Sequence, residues 1–207
     1  MDTHRFSFLV ETYATERQKI LGVWAMFRDE EVRWRPHPQG RSVHEQMVHQ
    51  CVSEDYWMKK FLAIEPAESP LPATETRLEF MKKYALCSEQ RLEKLQTRPE
   101  AWFEESAQFF DIVRSRAWIL VRRFAHSAHH RGQLTTYLRI LGHPLYSTYG
   151  PTADTGGLFQ NNAPVIYQYP DIETLLESEA HGGARRPLPG PGNKPATERP
   201  ALETTDD

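Results

Sequence analysis

Apolar residues recur at a spacing of about 3.6 residues along most of the chain, the period of a helix with one buried face. Near the start of the chain this apolar stripe consists of Phe6, Leu9, Tyr13, Ile20, Trp24 and Phe27. The stripe returns three more times, and prolines and glycines separate the segments. The pattern predicts four long helices, over about residues 5–29, 42–63, 74–96 and 111–141. Residues 98–110 fit either a loop or a short helix, and the sequence contains no convincing strand.

Several residues mark where these helices begin and end. Ser42 stands three residues before Glu45, the spacing of a capping box, in which hydroxyl and carboxylate satisfy free backbone donors. Gly142 and Pro144 follow the fourth apolar segment and predict its end. Gly132 lies inside that segment, where glycine costs roughly 1 kcal/mol relative to alanine. We therefore expect Gly132 to permit the close approach of another backbone.

Two further segments follow the fourth helix. Residues 142–170 are rich in turn residues but too aromatic for a free linker, so they should pack back onto the helices. Residues 171–177 predict a short last helix. From Ala180 onward the chain has five prolines, four glycines and no aromatic residue, a composition typical of disorder. We therefore divide the chain into a helical domain over 1–179 and a disordered tail over 180–207.

The predicted fold class is all-α. Four long amphipathic helices bury their apolar faces most simply against one another, as a four-helix bundle. The expected architecture is thus a four-helix bundle with a long aromatic-rich C-terminal loop and a disordered tail.

Composition excludes several classes of protein. No apolar run in the 207 residues approaches the ~20 that a membrane helix needs, and a net charge of −3 argues against a nucleic-acid partner. The first ten residues lack the charged and apolar regions of a signal peptide. Cys51 and Cys87 form no paired motif. We predict a cytoplasmic protein with reduced thiols and no membrane partner.

The histidines carry the strongest chemical signal. His126 and His130 are four residues apart, which places both imidazoles on one face of the fourth helix, where they can chelate one metal ion. His49 lies two turns into the second helix, and facing helices of a bundle converge on its core. We therefore predict a site of His49, His126 and His130 with one position open. His44 is expected to be exposed, and His129 to point elsewhere.

Two stretches of the chain carry a resemblance to a known family. RSVHEQMVHQ and, after a long gap, HSAHHRGQLTTYLRILG resemble the DinB/YfiT-like metalloenzyme superfamily over about residues 5–145. The resemblance implies a four-helix bundle with a divalent metal held by three histidines, which match His49, His126 and His130 here. Zinc or nickel is favoured, and iron and manganese remain open because three imidazoles do not choose among them. A homodimer is also implied.

Neighbours of the three histidines are candidates for binding substrate. They are Tyr56, Arg122, Gln133 and Tyr137. An arginine beside a metal can hold an anionic group, and a tyrosine can donate to an oxyanion, but a solvated arginine and core-packed tyrosines remain alternatives. Glu45 either accepts from an imidazole N–H or serves only its cap. Catalytic residues stay unassigned.

The resemblance also implies an activity. Members of the superfamily resemble S-transferases that use low-molecular-weight thiols such as bacillithiol or mycothiol, so we expect a small thiol and a small electrophile as partners. A second hypothesis is a hydrolase that uses metal-bound hydroxide. A third is a stress-associated metal-binding bundle without enzymatic activity. These three hypotheses remain open at the level of the sequence.

Overall fold

The computed structural model describes residues 4–190, which are mostly helical. In chain order the elements are α1 (Ser7–Met26), α2 (Val43–Leu62), α3 (Arg77–Gln96), α4 (Glu100–Glu104), β1 (Ser106–Phe109), β2 (Ile112–Ser115), α5 (Arg116–Ile140) and α6 (Ile172–Ala180). Three short 3-10 turns lie at Asp29–Glu31, Ala153–Thr155 and Phe159–Asn161. The four long helices predicted from the apolar period are α1, α2, α3 and α5.

The predicted absence of strands is wrong for the segment before α5. β1 and β2 form an antiparallel hairpin in which Phe109 pairs with Ile112. Phe110, between the strands, has the left-handed φ of 52° that this turn requires. Strands of four residues are too short to display a clear alternation, which is why the sequence pattern missed them. The hairpin also moves the start of the last long helix from residue 111 to Arg116.

The long helices enclose two apolar clusters. Helix α1 packs against α3 and α5, and α2 also packs against both. One cluster includes Trp24, Met47, Phe80 and Leu134. The other is made by residues near the opposite ends of the same helices, among them Leu9, Trp57, Leu92 and Leu120. Each long helix therefore contributes apolar side chains to both clusters.

A layer of buried polar residues separates the two clusters. Glu16 of α1 pairs with Arg131 of α5, with Oε2 and Nη1 2.5 Å apart. Arg17 of α1 donates to the hydroxyl of Ser88 on α3 at 2.9 Å. Buried polar groups are stable only when they find partners, so these pairs fix how α1 lies against its neighbours.

The connection after α5 packs onto the helices as predicted. Tyr146 and Tyr169 lie within the first apolar cluster. The structure also describes the beginning of the predicted tail, and this part contacts the body: Ala184 N donates to the Tyr169 hydroxyl at 2.9 Å, and Tyr146 donates to Arg186 O at 2.6 Å. The rest of the predicted tail, residues 191–207, lies outside the described residues.

Within residues 4–190, none of the helices combines the length and the apolar character that a bilayer crossing requires.

Candidate metal centre

Helix α2 begins with the capping box that the sequence predicts. The Ser42 hydroxyl accepts from Glu45 N at 3.2 Å, and the Glu45 carboxylate accepts from Ser42 N at 2.8 Å. Glu45 also pairs with Arg35 at 2.6 Å. Its carboxylate is thus committed to the helix end and makes no hydrogen bond to an imidazole, which settles the alternative that the sequence left open. The cap fixes the start of the helix, and His49 follows within the second turn.

The three predicted histidines converge. His49 Nε2 and His130 Nε2 are 3.0 Å apart, and His130 Nε2 and His126 Nε2 are 3.3 Å apart. One ring nitrogen from each of the three lies within 4.8 Å of the others. Nitrogens bound at ~2.0–2.1 Å to one tetrahedral metal lie about 3.3 Å from each other. The three imidazoles therefore fit a divalent metal ion.

Gln133 holds the His130 ring in the orientation that a metal requires. The amide of Gln46 donates to Gln133 Oε1 at 2.8 Å, and an amide oxygen only accepts hydrogen bonds. His130 Nδ1 lies 2.9 Å from the same oxygen and therefore carries the proton. The Nε2 lone pair of His130 is left free to face His49 and His126. Hydrogen bonds of this type set the tautomer of metal-binding histidines.

Arg123 and Trp57 hold His126 from the other side. Arg123 Nη1 lies 3.2 Å from His126 Nδ1 and donates to the Ser53 hydroxyl at 3.0 Å. The buried Arg123 guanidinium also lies 3.6 Å from a carboxylate oxygen of Glu54. The rings of Trp57 and His126 are 5.4 Å apart between centroids. These contacts leave His126 little freedom to rotate away from the other imidazoles.

The environment lowers the pKa of all three imidazoles. Burial, followed by the charge of Arg123, lowers the pKa of His126 to about 3. Burial lowers the pKa of His130 to about 4, although the hydrogen bond to Gln133 acts in the opposite direction. Burial and the charge of Arg41 lower the pKa of His49. All three are therefore neutral near pH 7, the form that binds metals.

An open cavity of about 490 Å³ lies over the three imidazoles. It is lined by Arg41, His49, Arg122, Ala125, His126, His129 and His130. A neighbouring depression shares Arg41 and His49 and also includes Glu45 and Glu75. A ligand can therefore reach the centre from solvent.

The substrate-binding candidates lie at different distances from this cavity. Arg122 lines it, and Gln133 lies behind it as a support for His130. Tyr56 is half-exposed and lines a separate depression beside Phe110. Tyr137 is buried in the apolar core, where its ring meets Trp34 edge to face at 5.6 Å. Only Arg122 among the four thus borders the open face of the centre.

The expectation that His44 is exposed is wrong. His44 is buried, and its Nε2 lies 2.5 Å from Glu75 Oε2. Glu75 belongs to the proline-rich segment before α3, so its proximity depends on tertiary structure. His129, which was expected to point elsewhere, is exposed but lines the same cavity, and its Nε2 lies 3.1 Å from the Gln133 amide.

Sequence reasoning missed Gln46 and Arg41 as residues of the centre. Gln46 precedes His49 by three residues and supports the centre through Gln133, a helical spacing that could have identified it. Arg123 precedes His126 by three residues, and this helical spacing does indicate that it neighbours the histidine pair. Arg41 lies in the loop before α2, and no spacing rule relates it to the histidines.

Two comparisons with known proteins agree on one family. The model of the DinB family matches residues 1–158. Two solved structures resemble the chain: a DinB-like protein from Bacillus cereus ATCC 10987, 20% identical with a TM-score of 0.56, and a DinB-like protein from Bacillus subtilis, 18% identical with a TM-score of 0.55.

The structural alignments cover 69% of this chain and 93% of the Bacillus cereus protein, and 67% of this chain and 94% of the Bacillus subtilis protein. At these identities the likeness concerns the fold. No curated protein matches the chain. Since the family model spans more than half of the sequence and includes all three histidines, the chain belongs to the DinB family.

Proposed function

We propose that this protein is a metal-dependent S-transferase, built as a four-helix bundle, that delivers a low-molecular-weight thiol to a small electrophile. The observation that carries the proposal is the convergence of His49, His126 and His130 below an open cavity. A bound divalent metal would supply Lewis acidity there, lowering the pKa of a coordinating thiol and so raising its nucleophilicity. Zinc or nickel is the metal we favour.

The number of ligands supports an enzyme over a purely structural metal site. Structural zinc sites are normally closed by four protein ligands, whereas catalytic sites keep a position open. Within residues 4–190, the His, Cys, Asp and Glu side chains form one cluster that could hold a metal, and it has three members. A position is thus left for an exogenous ligand, which disfavours the non-enzymatic hypothesis.

The protein's own cysteines do not supply the thiol. Cys51 and Cys87 are buried, and burial raises the pKa of both thiols. A buried thiol with a raised pKa is a poor nucleophile. Any thiolate that reacts at the centre must therefore come from a small molecule that enters through the cavity.

The carboxylates near the centre favour thiol transfer over hydrolysis. A hydrolase of this type commonly uses a free carboxylate as general base. Glu45 is bound to Ser42 and Arg35, and Glu75 is bound to His44. The cavity directly over the histidines includes no acidic residue. A thiol that ionises readily needs no such base.

The test is a thiol titration of the cobalt-loaded protein followed by visible absorption. We expect bacillithiol, mycothiol or glutathione to produce a sulfur-to-cobalt charge-transfer band, and the same thiol to accelerate substitution of 1-chloro-2,4-dinitrobenzene. His49→Ala should lose both signals, whereas His37→Ala, which changes an exposed histidine that does not line the cavity, should keep both. A cobalt spectrum that saturating amounts of all three thiols leave unchanged would overturn the proposal.

A further inference from the structure

Two arginines from different parts of the chain meet at the metal cavity. Arg41 lies immediately before the cap of α2, and Arg122 lies one turn before His126 on α5. Both line the cavity over the three imidazoles. Because both line one cavity, a molecule bound there lies beside both side chains.

Neither arginine is neutralised by the protein. Each is exposed, and within residues 4–190 neither Arg41 nor Arg122 makes an ion pair or a hydrogen bond. Arg35, in the same loop as Arg41, pairs with Glu45 and shows that a partner is within reach of this segment. The charges of Arg41 and Arg122 are therefore available to a ligand.

The rest of the cavity adds no negative charge. Its other lining residues are three imidazoles of the centre, His129 and Ala125. The two carboxylates of the adjoining depression, Glu45 and Glu75, are engaged by Arg35 and His44. Neutral imidazoles leave the charge of a divalent metal uncompensated. Two guanidinium groups and one such ion form a strongly positive, partly enclosed surface, which concentrates anions.

We infer that the cavity binds an anionic molecule whose carboxylate groups are held by Arg41 and Arg122 while its reacting atom lies at the three-histidine centre. This inference rests on the proposed function and names the substrate class of the same site. Guanidinium groups match planar carboxylates with two parallel hydrogen bonds. The anionic group can belong to the thiol or to the electrophile, and the chemistry of recognition is the same in both cases.

The first arm of the test compares two thiols on the cobalt-loaded full chain. Mercaptosuccinate carries two carboxylates and 2-mercaptoethanol carries none, and the cobalt absorption gives the Kd of each. We expect mercaptosuccinate to bind about tenfold more tightly or better, because a charged hydrogen bond is worth roughly a factor of ten. Arg41→Gln and Arg122→Gln should each reduce this preference, and the double variant should abolish it without changing the Kd of 2-mercaptoethanol.

The second arm tests the electrophile. Cobalt protein saturated with 2-mercaptoethanol is titrated with succinate and with succinamide by calorimetry. Binding of succinate alone, lost in the Arg41→Gln/Arg122→Gln variant, would support the inference and assign the anion to the electrophile. A preference seen only in the first arm supports it and assigns the anion to the thiol.

A matched variant controls for net charge. Arg33 is also exposed and makes no ion pair or hydrogen bond within the described residues, but it does not line the cavity, so Arg33→Gln should keep the full preference.

A wild-type preference that survives in the double variant, or no preference in either arm, overturns this inference alone. Failure of the wild-type protein to bind cobalt overturns it together with the proposed function.

Discussion

Gln133 is the residue that determines which nitrogen of His130 faces the other imidazoles. Its carbonyl oxygen accepts from His130 Nδ1 and is itself oriented by Gln46. The sequence gives His126 and His130 through their spacing, but a glutamine after a histidine has many roles. Its role here follows only from the contact between α2 and α5.

Replacing Gln133 with leucine should weaken metal binding by about 10–100-fold, the usual effect of losing such a hydrogen bond. Gln133→Glu retains an oxygen that accepts from His130 Nδ1 and should keep most of the affinity. Competition with a chromophoric chelator measures the metal affinity of both Gln133 variants. Equal affinities of the leucine and glutamate variants would contradict the role assigned to Gln133.

The lowered pKa values of the imidazoles predict how the affinity for metal depends on pH. Protons and metal compete for the same lone pairs, and three imidazoles with the ordinary pKa of about 6.5 would lose about 30-fold in affinity from pH 7 to pH 6. The pKa of about 3 for His126 and about 4 for His130 keeps these rings neutral over this range. The apparent affinity should therefore change less than about threefold.

The measurement is the apparent Kd of zinc or cobalt at pH 8, 7 and 6 with a competing chelator of known proton affinity. Steep weakening should begin only as the pH falls below about 5, where His126 and His130 start to take up protons. A loss of tenfold or more between pH 7 and pH 6 would show that the imidazoles titrate as exposed histidines do.

At the scale of elements, the helices were predictable and the hairpin was not. The caps and apolar periods of α1, α2, α3 and α5 are local properties of the sequence. The hairpin of β1 and β2 is stabilised by non-local contacts, with Phe109 packed against Trp57 at 5.0 Å. Its own four-residue strands carry no periodic signal, so its existence depends on α2.

Gly132 in α5 does not have the role that the sequence predicts for it, which is to permit the close approach of another backbone. Among residues 4–190, a Cβ placed at Gly132 would have no atom within 4 Å apart from the backbone of its own helix. No other backbone therefore approaches Gly132 closely. Gly132→Ala should therefore stabilise the protein by roughly 0.5–1 kcal/mol, because alanine favours the helix and restricts the unfolded chain. Urea denaturation measures the change, and metal content should stay unaltered.

Gly156→Ala is a control for which the expected change in stability has the opposite sign. Its φ of 115° suits glycine, and a Cβ there would lie 3.3 Å from Ala163, so Gly156→Ala should destabilise. If Gly132→Ala lowers stability as well, the helix around His130 is packed more tightly than described.

At the scale of the whole molecule, one buried carboxylate links all four long helices. Glu54 of α2 accepts from Tyr13 of α1 at 2.7 Å and from Tyr84 of α3 at 2.9 Å. It also pairs with Arg91 of α3 at 3.3 Å and with Arg123 of α5 at 3.6 Å. A single glutamate in a helix normally indicates a solvated position, so the sequence alone did not reveal this link.

Glu54→Leu should lower the free energy of unfolding by about 3–5 kcal/mol, because Arg123 loses its buried counter-charge and Arg91 is left with Asp55. Glu54→Gln keeps a carbonyl oxygen for the tyrosines and serves as the milder variant if the leucine variant does not fold. Denaturant unfolding gives the free energy of unfolding of both Glu54 variants. The exposed pair of Glu79 and Lys82 is the control, and Glu79→Gln should cost less than about 1 kcal/mol.

A loss below about 1 kcal/mol for both Glu54 variants would mean that the hydrogen bonds and ion pairs of Glu54 do not hold the four helices together. The convergence of His49 with His126 and His130 would then need another cause. Sequence spacing predicted the pair on α5. The meeting of α2 with α5 is a property of the whole fold, and it was expected from the convergence of facing helices in a bundle and from the family resemblance.

The most direct measurement is the metal content of the purified full-length chain by mass spectrometry, after reconstitution with zinc or nickel. We expect about one ion per chain, lost in His49→Ala, His126→Ala and His130→Ala and retained in His129→Ala. Absence of metal from the wild-type protein, or its retention in all three ligand variants, would contradict the central claim that these imidazoles form a metal centre.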